Sequence, residues 1–339
     1  MPQVHHSDVI GSLLRPRYLQ QARDAYAAGQ LPAPDFKRIE DRAVDQAIAM
    51  QEGIGFDVIT DGELRRFSFL DQVVGEIDGM TPMEGAPIHF KNAEVDWVWH
   101  NPFVVTGKIS QKRKITVEEF AYNRARATSQ VKITFPSPLL FYTAWSPERS
   151  TAAYKDANEL FADAAAKIKG EAQSLAELGC TYIQIDAPDI GTLVDPENRE
   201  LRETLGMPTE RTLTEGLDIF NSVADIPGVT FGLHVCKGNN MSQWIGSGGY
   251  DFIAEAVFGR LTNFDIFLLE YDDDRSGSFE PLAELTARVH EAAKYTGLER
   301  LGVSTQCGFS STLPGANLTN EDVQERKLEL VAELAHQIW

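Results

Sequence analysis

The chain has 339 residues, of which 43% are hydrophobic and 24% charged, as in ordinary globular proteins. Its formal net charge of −19 disfavours nucleic acid and anionic membrane surfaces as partners. It shows no apolar run of the ~20 residues needed to span a membrane and no signal-peptide pattern. With only three cysteines, it does not resemble a disulfide-stabilised protein, so we expect a cytoplasmic location.

Short apolar, β-branched segments alternate with longer amphipathic segments along the whole chain. Strands are predicted at 8–12, 56–61, 102–109, 130–136, 181–186, 229–236, 265–271 and 301–307. Helices are predicted at 34–53, 116–128, 155–178, 210–223, 250–260, 279–296 and 320–338. Asn320 can cap the last helix. The repeated strand-then-helix order predicts parallel strands covered by helices.

Around eight such units predict an α/β fold, a (β/α)8 barrel of the TIM type, forming a single domain over residues 1–339. An open, doubly wound sheet is the structural alternative, although no glycine-rich phosphate motif follows any strand. The irregular stretch at about 77–115 is interpreted as an excursion from the barrel. Between 272 and 300 the pattern shows a helix but no strand, so one barrel strand is irregular or missing there.

One histidine and one cysteine stand two residues apart at the end of an apolar strand, as His234 and Cys236. Side chains alternate along a strand, so these two can point to the same side and reach one metal ion. A single His-x-Cys pair is nevertheless more often part of a core than of a metal site.

Two further potential ligands, Glu270 and Cys307, end later strand-like segments. The carboxyl ends of barrel strands meet at one rim, which brings all four side chains to the same region. Nitrogen, sulfur and carboxylate donors suit Zn²⁺. The alternative is that Cys307 is a buried apolar residue and Glu270 a capping or ion-paired carboxylate.

Several segments resemble motifs of the cobalamin-independent methionine synthase family, in particular its short members that have only the catalytic C-terminal barrel. The most specific are HVCKGNN (234–240), FLLEYDDDRSGSFEPL (267–282) and STQCGFSST (304–312). Weaker similarity is seen in VIGSLLRP (9–16), DVITDGELRRFSF (57–69), VVTGKI (104–109) and YIQID (182–186). The resemblance implies that His234, Cys236, Glu270 and Cys307 bind zinc.

The resemblance also implies a methyltransferase like the 5-methyltetrahydropteroyltriglutamate–homocysteine S-methyltransferases. Two thiolates and one carboxylate more than neutralise Zn²⁺, which makes it a poor activator of water but still able to hold a thiol deprotonated. We therefore expect a small-molecule thiol such as homocysteine to be methylated to methionine. The methyl donor would be 5-methyltetrahydrofolate or another compound, and a homo-oligomer is left open.

Residues at other strand ends are implied to bind the amino-acid part of the substrate: Ile10, Ser12, Glu63 and Asp186. Ser12 could instead be a turn residue, and the two carboxylates could form ion pairs with Arg15, Arg65 or Arg66. Trp145 follows a strand and could stack on a flat methyl donor, but core packing explains it equally well.

The chain departs from the family in ways that affect substrate identity. Full-length members have an additional N-terminal barrel that helps to bind folate, and we expect none here. Ala187 stands where the family motif QIDEP has an acidic residue. Two other functions stay open: an alkyl transferase of the epoxyalkane–coenzyme M transferase type, and a non-catalytic zinc- or thiol-binding protein. The four-ligand set disfavours the zinc-free uroporphyrinogen decarboxylases.

Overall fold

The computed structural model describes residues 5–70, 77–92, 96–240, 243–270, 279–310 and 319–339. The chain divides into two compact units. The terminal unit comprises Met1–Phe69, Glu119–Lys132 and Tyr271–Trp339, and the central unit comprises Leu70–Glu118 and Ile133–Glu270.

Each of the eight predicted strands has a counterpart in the described residues, mostly with shorter bounds, and the predicted excursion contains three further strands. The described strands are β1 (Ser7–Asp8), β2 (Val58–Ile59), β3 (Ile77–Pro82), β4 (Pro87–Lys91), β5 (Asp96–His100), β6 (Phe103–Gln111), β7 (Gln130–Pro136), β8 (Tyr182–Asp186), β9 (Thr230–Val235), β10 (Ile266–Leu269) and β11 (Val303–Ser304).

Parallel pairing dominates both units. In the terminal unit β1 pairs with β11, with Ser7 opposite Val303, and β2 pairs with the start of β7, with Val58 opposite Gln130. In the central unit the strand order is β10-β9-β8-β7. There His234 on β9 lies opposite Asp186 on one side and Leu268 on the other. Parallel strands joined by helices confirm the α/β class, but the described strands do not form a closed ring.

The predicted excursion consists of antiparallel strands. β3 pairs with β6 and β4 pairs with β5, so the predicted strand at 102–109 belongs to the excursion. The hydrophobic side chains Ile88 and Phe90 pack with Ile245, and Trp97 and Trp99 lie against them. The region 279–300 contains the predicted helix, followed by a short 3₁₀ turn that was not predicted. Residues 272–278 lie outside the described residues.

The α-helices of the described residues are α1 (Arg17–Ala27), α2 (Ala33–Ile54), α3 (Ile115–Arg124), α4 (Pro147–Ser150), α5 (Ala157–Glu177), α6 (Pro188–Gly191), α7 (Pro196–Thr204), α8 (Thr209–Arg211), α9 (Leu217–Asn221), α10 (Asp251–Arg260), α11 (Leu282–Thr296) and α12 (Glu321–Ile338). A π-helical turn, Thr212–Gly216, joins α8 to α9, and a 3₁₀ helix spans Pro138–Ala144. None of the helices in this part of the chain is long and apolar enough to cross a bilayer.

Local sequence explains where the principal helices begin and end. The side chain of Asn320 accepts a hydrogen bond from the Val323 N–H, which confirms it as the N-cap of α12. The sequence pattern did not predict α1 or α7. Both are strongly polar helices with few buried residues.

Candidate metal centre and substrate site

His234 is held on one side through its imidazole and on the other through its main-chain carbonyl. Its side chain is buried, and its Nδ1 lies 3.1 Å from the carbonyl oxygen of Leu268. The Ala187 N–H donates to the His234 carbonyl over 2.8 Å. A carbonyl can only accept, so a neutral imidazole carries its proton on Nδ1 and directs the lone pair of Nε2 to the other side. That tautomer is the one suited to a metal ligand.

Cys236 follows directly after β9 and is fixed by close backbone packing. Helix α6 approaches so closely that a Cβ atom on Gly191 would lie 2.0 Å from the carbonyl oxygen of Cys236. Only glycine fits at that position. The Tyr250 hydroxyl donates to the Val235 carbonyl over 2.7 Å, which fixes the strand end just before Cys236.

Glu270 follows β10 and is hydrogen-bonded to the segment that follows β9. The Tyr250 hydroxyl accepts from the Glu270 N–H over 3.1 Å, and the Glu270 carboxylate accepts from the Lys237 N–H over 3.0 Å. The carboxylate is therefore bonded to the residue immediately after Cys236.

The side chains at this strand end fit a zinc site chemically. The described residues contain a histidine and cysteine group able to hold a metal ion, and within it the ligand atoms of His234 and Cys236 lie within 4.8 Å of each other. An imidazole nitrogen beside a thiol sulfur is the donor combination that Zn²⁺ prefers.

The fourth predicted ligand, Cys307, belongs to the terminal unit. It lies in a loop after β11 and is partly exposed. The same loop contacts the segment after β1: the Thr305 hydroxyl accepts from the Ile10 N–H over 3.1 Å. The Phe309 N–H donates over 2.7 Å to the carbonyl of Ser12. In the terminal unit the structure therefore places the predicted residues Ile10 and Ser12 beside the loop that carries Cys307.

Glu63 occupies a strained turn after β2. Its φ is 56°, and among the described residues it is the one non-glycine with positive φ. The Asp61 carboxylate accepts from the Glu63 N–H over 2.8 Å and stabilises this turn. A Cβ atom on Gly62 would lie 2.8 Å from the side chain of Leu13. This combination of strain and burial is typical of a functional position.

Behind Glu63 lies a buried ion-pair network. Arg66 donates to both carboxylate oxygens of Glu119, over 2.9 and 2.6 Å, and its Nη1 lies 3.5 Å from Glu63 Oε1. The suggested pairing of Glu63 with Arg66 is therefore present, whereas Arg65 pairs with Asp41. Burial raises the pKa of Glu119 to about 7, with Arg66 acting in the opposite direction. Glu119 was not identified from the sequence, because there it is simply one acidic residue on a predicted helix.

Asp186, the second predicted substrate carboxylate, ends β8 in the central unit. It is buried, and the Gln184 side chain donates to its Oδ1 over 2.6 Å. The Ser137 N–H donates to its carbonyl over 2.9 Å. The Ser137 hydroxyl in turn donates to Asp189 Oδ2 over 3.2 Å. Asp189 is a second buried carboxyl at this strand end that the sequence pattern did not reveal.

Trp145 lies in the core of the central unit. Its side chain is 3% exposed, and its indole N–H donates to the Leu205 carbonyl over 3.1 Å. Almost no ring surface is left for a flat donor in this conformation. The core interpretation accounts for these contacts, and a role for Trp145 in donor binding stays a prediction.

The sequence model of the cobalamin-independent synthase catalytic-domain family matches residues 6–240, more than two thirds of the chain. The chain belongs to the cobalamin-independent methionine synthase family. The predicted enzyme class, a methyltransferase of the 5-methyltetrahydropteroyltriglutamate–homocysteine type, is confirmed at the level of this family. The matched range includes His234 and Cys236 and ends before Glu270 and Cys307.

Individual relatives support membership of the methionine synthase family. The uncharacterized protein YxjH of Bacillus subtilis is 32% identical, covering 98% of this chain and 94% of its own. The methionine synthase of Sulfurisphaera tokodaii is 30% identical over 54% of this chain and 52% of its own. A crystal structure from Listeria monocytogenes, described as a vitamin B12-independent methionine synthase, has a TM-score of 0.73 at 26% identity, covering 100% of this chain and 99% of the other.

Proposed function

We propose that this protein is a zinc-dependent S-methyltransferase that methylates homocysteine to methionine. The observation that carries the proposal is the end of β9, where a buried imidazole of suitable tautomer stands beside a thiol in a chain of the methionine synthase family. The likeness to the methionine synthases of Sulfurisphaera tokodaii and of other organisms favours homocysteine over other thiols. A complete eight-stranded barrel is part of the proposal.

The proposed zinc ligands are His234, Cys236, Glu270 and Cys307. Their donor atoms would give a site with an excess of negative charge, which suits the binding of a thiol more than the activation of water. Bound zinc would hold the substrate sulfur as a thiolate, which is the form able to attack a methyl group.

The remaining site residues would orient the amino-acid part of the substrate. The Ser12 hydroxyl and the backbone near Ile10 are proposed to bind its carboxylate, and the Glu63 and Asp186 carboxylates its ammonium group. The donor would be 5-methyltetrahydrofolate or another methyl compound. Parallel assays with homocysteine and coenzyme M would separate this function from that of an epoxide-opening transferase.

Removal of single ligands tests the proposal. We expect His234→Ala and Cys307→Ser to lose both bound zinc and homocysteine methylation, with activity falling by at least roughly a hundredfold. Zinc is measured by elemental analysis of purified protein, and methionine formation by chromatography. Cys180→Ala is the matched control, because Cys180 is outside the proposed ligand set and its buried thiol donates to the Tyr182 carbonyl. A zinc-free protein with full activity would refute the proposed function.

A further inference from the structure

The terminal unit contains a buried cluster with more negative than positive side chains. Its members are Asp61, Glu63 and Glu119 as carboxylates, with Arg15 and Arg66 as guanidinium groups, and each is at most 4% exposed. With all five groups ionised, the cluster carries one excess negative charge. Buried charge of one sign is costly unless an opposite charge compensates it.

Arg15 binds the main chain of this cluster. Arg15 donates mainly to backbone oxygens, with two hydrogen bonds to the Arg66 carbonyl and one to the Ser310 carbonyl. These hydrogen bonds fix the backbone of this region.

Arg66 is shared unequally between two carboxylates. Its contacts with Glu119 are bidentate, at 2.9 and 2.6 Å, whereas its distance to Glu63 is 3.5 Å. Bidentate, charge-assisted hydrogen bonds at short distance are much stronger than a single long one. Of these two carboxylates, Glu119 therefore interacts more strongly with Arg66.

The electrostatics of Glu119 agree with a crowded negative cluster. Burial raises the pKa of its carboxyl to about 7, and the nearby Asp61 and Glu63 carboxylates act in the same direction while Arg66 opposes it. A cation bound beside Glu63 would relieve this repulsion.

We propose that Glu119 is a positioning residue for substrate recognition, which holds Arg66 in a bidentate pair and so preserves the negative charge of Glu63 for an ammonium group. This inference rests on the proposed function in one respect: the ammonium group is taken to be that of an amino-acid thiol or thioether. Glu119 itself does not touch the substrate. It acts through Arg66, and Asp61 supports the strained turn that presents Glu63.

The test compares two ligands that differ by one amino group. L-Methionine carries the ammonium, and 4-(methylthio)butanoate is the same molecule without it. Both are titrated by calorimetry into the full-length protein and into Glu119→Gln. We expect Glu119→Gln to weaken L-methionine binding by at least about tenfold, because Arg66 would move onto Glu63, while binding of the analogue stays within about threefold.

A double variant distinguishes this electrostatic effect from misfolding of Glu119→Gln. The combination of Glu119→Gln with Arg66→Met removes both charges of the buried ion pair. Proteins often tolerate replacement of a whole buried ion pair. With no competing guanidinium, Glu63 should again prefer L-methionine over the analogue to at least the wild-type degree.

Three outcomes would overturn the proposal: equal weakening of both ligands by Glu119→Gln, no weakening of either, or loss of the preference in the double variant. A wild-type protein that does not discriminate between the two ligands would overturn it as well. Methyl transfer is assayed separately, so the proposed function can fail while this inference stands.

Discussion

The terminal and central units hold their candidate site residues by different physical means. In the terminal unit Glu63 is supported by charged side chains, with Arg66 between two carboxylates. In the central unit His234 and Cys236 are fixed by backbone contacts, with Leu268 and Ala187 beside one and Gly191 against the other. The contacts just named in the central unit include no ion pair. Those named in the terminal unit are mainly ion pairs.

This difference determines which substitutions each site tolerates. A site fixed by close backbone packing should be sensitive to added volume, because neighbouring main chain cannot move without distorting the sheet. A site fixed by buried charges should be sensitive to the loss of one partner, because the remaining charge stays buried. Single substitutions in each unit can test these two expectations.

Among changes that add volume in the central unit, the most damaging should be Gly191→Ala. Gly191 has helical dihedral angles, φ −59° and ψ −35°, which alanine adopts readily. The added methyl group would nevertheless overlap the Cys236 carbonyl oxygen, at 2.0 Å. We expect Cys236 to be displaced, with zinc content and activity each reduced by at least about tenfold. Elemental analysis and the homocysteine assay measure both.

Gly170→Ala is the matched control for this steric effect. Gly170 lies within α5, and a Cβ there would have no neighbour within 4 Å. Alanine should therefore raise stability by about 0.5 to 1 kcal/mol and leave zinc content unchanged. If Gly191→Ala behaved like this control, close packing would not be what fixes Cys236.

In the terminal unit the corresponding change is Arg66→Met. It removes the partner of Glu119 and leaves that carboxyl buried, which should lower the free energy of unfolding by about 3 to 5 kcal/mol. The exposed pair Arg38–Asp35 gives the control, since Arg38→Ala should change stability by less than about 1 kcal/mol. Urea unfolding measures both. A small effect for Arg66→Met would show that the network is dispensable for folding.

Much of the architecture could be predicted because its physical signals are local. The apolar strands and amphipathic helices have distinct periodicities, and the excursion and the Asn320 cap followed from composition and residue type. His234 and Cys236 were found because strand alternation places residues two apart on one side, and their ligand atoms are indeed close.

The features that were missed depend on tertiary contacts. Glu119 and Asp189 look like surface acids in the sequence, and only burial distinguishes them from the many acidic residues of this chain. Gly191 follows a proline in an ordinary turn-like segment, so nothing local indicates its contact with Cys236. The closed barrel could not be established either, because alternating strands and helices do not specify how a sheet ends.

The smallest effect we predict concerns pH and Asp189. Burial raises the pKa of its carboxyl to about 7, from an ordinary value of 3.8, while Arg202 opposes the shift. Between about pH 4 and pH 7 the folded chain therefore retains a proton that the unfolded chain releases, and stability falls as pH rises through this range. Over this pH range the free energy of unfolding should fall by roughly 1 to 3 kcal/mol less in Asp189→Asn than in the wild type.

Asp195 provides a control of opposite sign for the pH experiment. Hydrogen bonds from Ser247 and Glu197 N–H groups and the charge of Lys91 outweigh its partial burial and lower its pKa. The stability that Asp195 contributes is therefore lost as pH falls through its folded pKa, well below the Asp189 range. Thermal unfolding of the wild type, Asp189→Asn and Asp195→Asn between about pH 3 and pH 8 distinguishes the two carboxyls. An unchanged pH dependence in Asp189→Asn would mean that this carboxyl titrates normally, and burial alone would then not control its charge.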